Sequence, residues 1–210
     1  ERHRVIRYDS PGFGRTSPLE EPYRETTILL DLLDEFEVEQ AALVGGSRGG
    51  RIAVDFALAQ PESVTALVLA GGALSGYPLG AYSAAQEAHE AAALEAGDWE
   101  AVTDITLEVW GACGPGDGVR ELVLANARAE ILTEHELPPE RLAVDHLEEL
   151  RLPILAITGE HDQPGIGEVA RLLEARAGAE HVSFEGSDHF PNMREPERFN
   201  DVVLRFLGRA

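Results

Sequence analysis

Lysine is absent from this 210-residue chain: all 17 basic residues are arginine, set against 38 acidic ones, for a formal net charge of −21. So acidic a balance repels nucleic acid and anionic membrane, so neither is expected as a partner. No block of like charge is long enough to read as an acidic tail. Cysteine is nearly absent too. The lone Cys113 excludes an internal disulfide and fits a reducing, cytoplasmic setting. It stands in the turn-like Gly111-Ala112-Cys113-Gly114-Pro115-Gly116, which reads as a loop thiol rather than a nucleophile. No apolar run approaches the roughly 18 residues of a membrane-spanning helix. No signal peptide is visible, and the chain opens on Glu1 rather than Met, so this start is read as not the translational one. No spacing of His, Cys and carboxylates suits a metal.

What remains is a globular composition, 44% hydrophobic and 26% charged, of a length that suits one domain with an insertion. The chain is organised around Ala41-Ala42-Leu43-Val44-Gly45-Gly46-Ser47-Arg48-Gly49-Gly50-Arg51-Ile52. Four apolar residues without alternation predict a parallel strand buried on both faces. A glycine-rich turn follows, and then Ile52, Ala53, Phe56 and Ala57 recur at helical spacing until Pro61. Strand, turn and helix give Gly45-x-Ser47-x-Gly49 its chemical meaning: a strained turn lifts Ser47 above the sheet edge, and the amide of Arg48 at a helix N-terminus can stabilise an oxyanion. The pattern alone is weak in a chain with 21 glycines, where an inert serine in a glycine-rich turn is the plain alternative.

Taken in order, Arg4–Tyr8 reads as a short strand, followed by a turn cluster at residues 9–18. Ile28, Leu29, Leu32, Leu33 and Phe36 mark an amphipathic helix. Thr65–Ala70 and Pro153–Thr158 are buried strands, and His181–Phe184 is a last, short one. Helices are expected over Gly167–Ala177 and Glu197–Leu207. Strands alternating with helices imply parallel pairing with right-handed crossovers. Residues 75–148 are instead Ala- and Glu-rich, with helices expected around Tyr82–Ala96, Trp99–Trp110 and Val119–His135. This segment is expected to form a helical cap on a core made of residues 1–74 and 149–210. As a lid, it offers Trp99, Trp110, Tyr77 and Tyr82 as wall residues of a substrate pocket, although each aromatic also suits a core.

Reactive groups in such sheets gather at the carboxyl ends of strands. Three ends here carry Ser47, Asp162 and His189. Ser47 needs a base, His189 can serve as one, and Asp162 can hold the imidazole tautomer and stabilise its charged form. Asp162 also suits a plain turn. Asp188 is a rival acid, made awkward by adjacency to His189, and His161 is a rival base beside the best acid. The other histidines have no partner motif.

With these residues in view, the chain from Val5 onward resembles the α/β-hydrolases of the lactonase, esterase and haloperoxidase-like group. The matching marks are Tyr8-Asp9-x-Pro11-Gly12-Phe13-Gly14-x-Thr16-Ser17, the Gly45–Gly50 elbow, Thr158-Gly159-Glu160-x-Asp162, and Gly186-x-x-His189-x-x-Asn192 with Glu195-Pro196. The resemblance implies a mostly parallel sheet flanked by helices with a helical cap, the triad Ser47, Asp162 and His189, and cofactor-free hydrolysis through an acyl-enzyme. The chain departs from that pattern in having no further strands and no oxyanion loop before Ile6. The N-terminal part of the sheet is therefore expected to be missing, and the source protein to exceed 22.7 kDa.

The expectation is a serine hydrolase acting on a small, largely apolar ester or lactone. The alternative is a non-catalytic binding protein or inactive truncated remnant of the same fold. A dinucleotide-binding turn is disfavoured because Arg51 replaces the last glycine and a Tyr-x-x-x-Lys site needs a lysine. A phosphate-binding loop fails because Arg51-Ile52 follows Gly50.

Overall fold

The computed structural model describes residues 3–210, with the side chain of Glu130 outside the description. In chain order the elements are α1 (Glu25–Glu35), β1 (Ala41–Gly46), α2 (Arg48–Ala59), β2 (Val64–Ala70), α3 (Ala84–Ala96), α4 (Trp99–Trp110), α5 (Val119–Asn126), α6 (Ala129–Leu132), β3 (Ile154–Gly159), α7 (Pro164–Ala177), β4 (Glu180–Phe184), α8 (Pro191–Arg194) and α9 (Pro196–Leu207). The four strands form one parallel sheet in the order β1-β2-β3-β4.

Side-chain alternation along the two central strands divides the core. Leu67 and Leu69 of β2 and Ile154 and Ala156 of β3 face a large cluster with α1, α2 and α7. Ala66 and Val68 of β2 and Leu155 and Ile157 of β3 face the other way, against Phe184 and the Val203 and Phe206 stripe of α9. Both faces of β2 and β3 are dry, which is why their sequences read as unbroken apolar runs.

β1 departs from the expected burial on both faces. Its residues alternate, and Val44 is 52% exposed. Val44 pairs with Val68 and so lies on the α9 side of the sheet, but its neighbour Val68 is buried by α9 and Val44 is not. The expected strand at Arg4–Tyr8 does not form. Those residues join no ladder, and Val5 is 77% exposed. A strand is held by hydrogen bonds to a neighbour, and among the described residues β1 pairs only with β2.

Between β2 and β3 the regular elements of the described residues are helices, joined by turns and loops. α3 is held by a Ser83–Gln86 capping box and ends on a left-handed Gly97, after which Asp98 caps α4. The single helix expected over Val119–His135 is broken at Ala127-Arg128 into α5 and α6. The limb returning to the sheet packs on the main core, where Ala143, Leu147 and Leu150 are buried. No described helix is long and apolar enough to cross a membrane.

Candidate active site

β1 passes into α2 through one residue, Ser47, whose backbone adopts φ +50°, ψ −115°. A non-glycine residue in the left-handed region costs of order 1–3 kcal/mol and persists only where its surroundings fix it. The fixing bonds are visible. Ser47 N–H donates to Ala70 O at 2.9 Å, and Ala73 N–H donates to Ser47 O at 3.3 Å, hooking the elbow to the end of β2. A β-carbon at Gly45 would overlap the carbonyl of Gly49, so the strand and the helix pass this closely only because glycine stands there. Ser47 is exposed, and its Oγ makes no hydrogen bond with the described residues.

The expected carboxylate and imidazole lie across the sheet end. Asp162 follows β3 and His189 follows β4. The imidazole Nδ1 is 3.0 Å from Asp162 Oδ1 and 3.1 Å from Oδ2, with the two side chains only 6% and 2% exposed. With Nδ1 turned to the carboxylate, Nε2 is left for a substrate or nucleophile. The ring rests against Gly71, where a β-carbon would come within 2.8 Å of Cε1 and 2.9 Å of Nδ1. Gly71 follows Ala70, the residue that holds Ser47, so the elbow and the imidazole flank one corner of the sheet. The structure joins Asp162 to His189; the Ser47–His189 hydrogen bond is not formed.

Asp188, the rival acid, is committed elsewhere. Burial opposes its ionisation, but Arg194 and the backbone N–H groups of Cys113 and Phe190 outweigh that and hold its carboxyl below the usual range. Its bond to Cys113 N–H, 2.9 Å long, ties the loop after α4 to the His189 loop. Gln163, next to Asp162, donates to the carbonyl of Val109 near the end of α4. His161 is exposed and makes a backbone bond to Ser187.

These ties bring Trp110, the last residue of α4, onto the site. Its ring centroid is 4.4 Å from that of His189, and its Nε1–H donates to Tyr82 Oη at 3.3 Å. The other two expected wall residues sit elsewhere. Trp99 packs in a separate cluster built from α3 and α4, under Arg128, and Tyr77 packs on the main core with its hydroxyl on Glu168. Tryptophan at either end of an amphipathic helix looks alike in sequence; only the tether at Val109 and Cys113 distinguishes them.

Arg48, whose amide was the candidate oxyanion donor, carries a side chain that sequence reading left unassigned. Its Nη2 donates to Glu25 Oε1 at 2.7 Å and to Glu136 Oε2 at 2.6 Å, and the guanidinium lies over the Phe13 ring at 4.8 Å. Arg51 holds the other oxygen of Glu136 at 2.5 Å and approaches Asp55 at 3.6 Å. Asp55 in turn accepts from Ser75 Oγ at 2.5 Å, and Ser75 accepts from Ala143 N–H. Among the described residues no group of three or more His, Cys, Asp or Glu is arranged to hold a metal ion.

The sequence profile of the alpha/beta hydrolase family matches residues 1–202. The chain belongs to that family. Its parallel sheet flanked by helices is the alpha/beta-hydrolase fold of solved relatives. A hydrolase from Pseudomonas aeruginosa superposes with a TM-score of 0.72 at 27% identity, over 96% of this chain and 78% of that one. The enol-lactonase from Burkholderia xenovorans shares the fold with a TM-score of 0.73 at 22% identity, over 96% and 79%. Among curated relatives, a 2-hydroxy-6-oxononadienedioate/2-hydroxy-6-oxononatrienedioate hydrolase from Paraburkholderia phymatum is 29% identical, over 99% of this chain and 77% of its own. The hydrolase of the same name from Escherichia coli is 27% identical, over 99% and 77%. Both of these curated relatives are hydrolases by name.

Proposed function

We propose that the chain is a serine hydrolase that cleaves a small, largely apolar ester or lactone through an acyl-enzyme. The observation that carries this reading is the buried Asp162–His189 pair sharing a sheet corner with the Ser47 elbow. In the mechanism it supports, Ser47 Oγ attacks the carbonyl while His189 Nε2 takes its proton, and Asp162 stabilises the imidazolium. The amide of Arg48, at the N-terminus of α2, faces the developing oxyanion; one such donor is worth on the order of 10²–10³ in turnover. His189 returns the proton to the departing alcohol, and water then repeats the sequence on the acyl-enzyme. A lactone follows the same course with its alcohol still attached.

Trp110 and Tyr82 supply an aromatic wall beside the imidazole and favour an apolar acyl group. The charges around the site favour a neutral substrate over a dioate such as the curated relatives' names give. Arg48 and Arg194, the arginines tied to the residues flanking this corner, are each matched by carboxylates of the chain itself. A dianion would have to displace them.

The test is labelling by a fluorophosphonate followed by turnover of short-chain nitrophenyl esters and simple lactones. Labelling at Ser47, abolished by Ser47→Ala together with turnover, is expected. A folded protein that neither labels nor turns over any of these substrates would overturn the reading in favour of a binding protein.

A further inference from the structure

Among the described residues, the carboxylate of Glu136 alone bonds to both arginines of the first turn of α2. Oε2 accepts from Arg48 and Oε1 from Arg51, so it clamps that turn from outside. Arg48 is also the residue whose amide is read above as the oxyanion donor. Glu136 does not belong to the core segments that build the elbow. It follows α6, at the end of the helical cap, and its backbone is fixed to the entry of α1 by Tyr23 N–H on His135 O at 3.1 Å and Leu137 N–H on Tyr23 O at 2.7 Å. Glu25, at the start of α1, completes the clamp on Arg48 and accepts from Ser10 Oγ at 3.2 Å. The carboxylates are screened from water, Glu25 at 3% and Glu136 at 15% side-chain exposure. Removing one partner from such a cluster leaves the others buried and unmatched.

We infer that Glu136 is a positioning residue that couples the seating of the cap to the geometry of the Ser47–Arg48 turn. A cap lifted from the core withdraws Glu136, frees both guanidiniums, and lets the first turn of α2 rotate. Misplacement by about 1 Å costs on the order of 10² in rate, so the oxyanion donor and the nucleophile are in register only when the cap is down. Glu136 touches no reacting atom; it acts through Arg48 and Arg51. This role rests on the serine-hydrolase reading above.

Glu136→Gln tests it, because the amide keeps the shape but accepts from only one guanidinium. The expected result is a fall in kcat of about 10- to 100-fold with KM within about threefold, and a parallel fall in the rate of fluorophosphonate labelling at Ser47. Glu136→Asp, which restores the charge, should recover part of the loss. Wild-type kcat and labelling rate in a folded Glu136→Gln protein overturn the role, even if its melting temperature drops, since that marks a purely structural contact. Should Glu136→Gln fail to fold, Arg51→Gln removes one of the two ties, and a kcat lower by about threefold to tenfold is then expected, with an unchanged kcat overturning the role. If wild type itself shows no Ser47-dependent labelling, the serine-hydrolase reading fails first. Wild-type labelling with an indifferent Glu136 is the failure of this inference alone.

Discussion

The two halves of the candidate site are held by different forces. The Asp162–His189 half is buried, and the groups packed around the pair are mostly neutral: Gly71, Trp110 and Phe190. The Ser47–Arg48 half is more open, and its shape depends on a cluster of five charged side chains drawn from α1, α2 and the stretch after α6. The helical segment between β2 and β3 is tied to each half separately, to the first through its bonds to Gln163 and Asp188 and to the second through Glu136. Packing fixes a geometry at any pH and salt, whereas charges fix it only while they remain ionised and matched. The same fold thus builds one half mainly by packing and the other by charge pairs whose match is adjustable through pH.

The largest effect that would sharpen this contrast is expected at Asp162. Asp162→Asn leaves the shape but disturbs the tautomer of His189, and turnover should fall on the order of 10⁴ with little change in fold. Ester kinetics with melting curves check this, and a loss below about tenfold would remove Asp162 from the proposed triad.

Next in size is Gly71. An alanine there meets the His189 ring at under 3 Å and must also adopt φ +57°. Turnover is expected to fall about 10²-fold through displacement of the ring, with a stability loss of about 1–2 kcal/mol. An unaffected Gly71→Ala enzyme would mean that the buried half yields more easily than its packing implies.

The adjustable half should reveal itself through pH. Asp55 is buried; burial pushes its carboxyl up to about 6 against the opposing hydrogen bond from Ser75 and the charge of Arg51. The folded state therefore binds this proton more tightly than the unfolded chain. Its stabilising contribution is full below the unfolded value near 3.8 and is lost as pH rises through about 6. From this group alone the chain should be more stable at pH 5 than at pH 7.5, by roughly 1 kcal/mol. Glu136 and Asp188, both held below the usual carboxylate range, have the opposite sign, but their contribution is lost only at more acid pH. Denaturant unfolding at the two pH values checks this, and Asp55→Asn should flatten the difference. A chain that only gains stability from pH 5 to 7.5 would contradict it.

Much of the molecule is legible in the linear order of residues. The elbow is a local object: a strand, a run of glycines and a helix start lie within a dozen residues, so their periodicities and the freedom of glycine predict it. The strands β2, β3 and β4 and the helices α3, α4, α7 and α9 follow from spacing and punctuation in the same way. Ser47, Asp162 and His189 were singled out because each ends or follows a predicted strand, a position that sequence does reveal.

Other features were decided only when distant segments met. β1 has the apolar sequence of a doubly covered strand, yet Val44 stands in water, because burial depends on whether a neighbour covers the residue and not on its own hydrophobicity. Arg4–Tyr8 has strand-like residues and no ladder to join. Trp99 and Trp110 are the same residue type at two ends of one helix, and a tether to the Asp162 and His189 loops sends only one of them to the imidazole. Glu136 meets Arg48 across 88 positions, with nothing in its surroundings to mark it. Local periodicity fixes the elements. The pairing of charges, the contact of a glycine with a ring and the cover over a strand are properties of the packed chain alone, because each is made by groups that the linear order keeps apart.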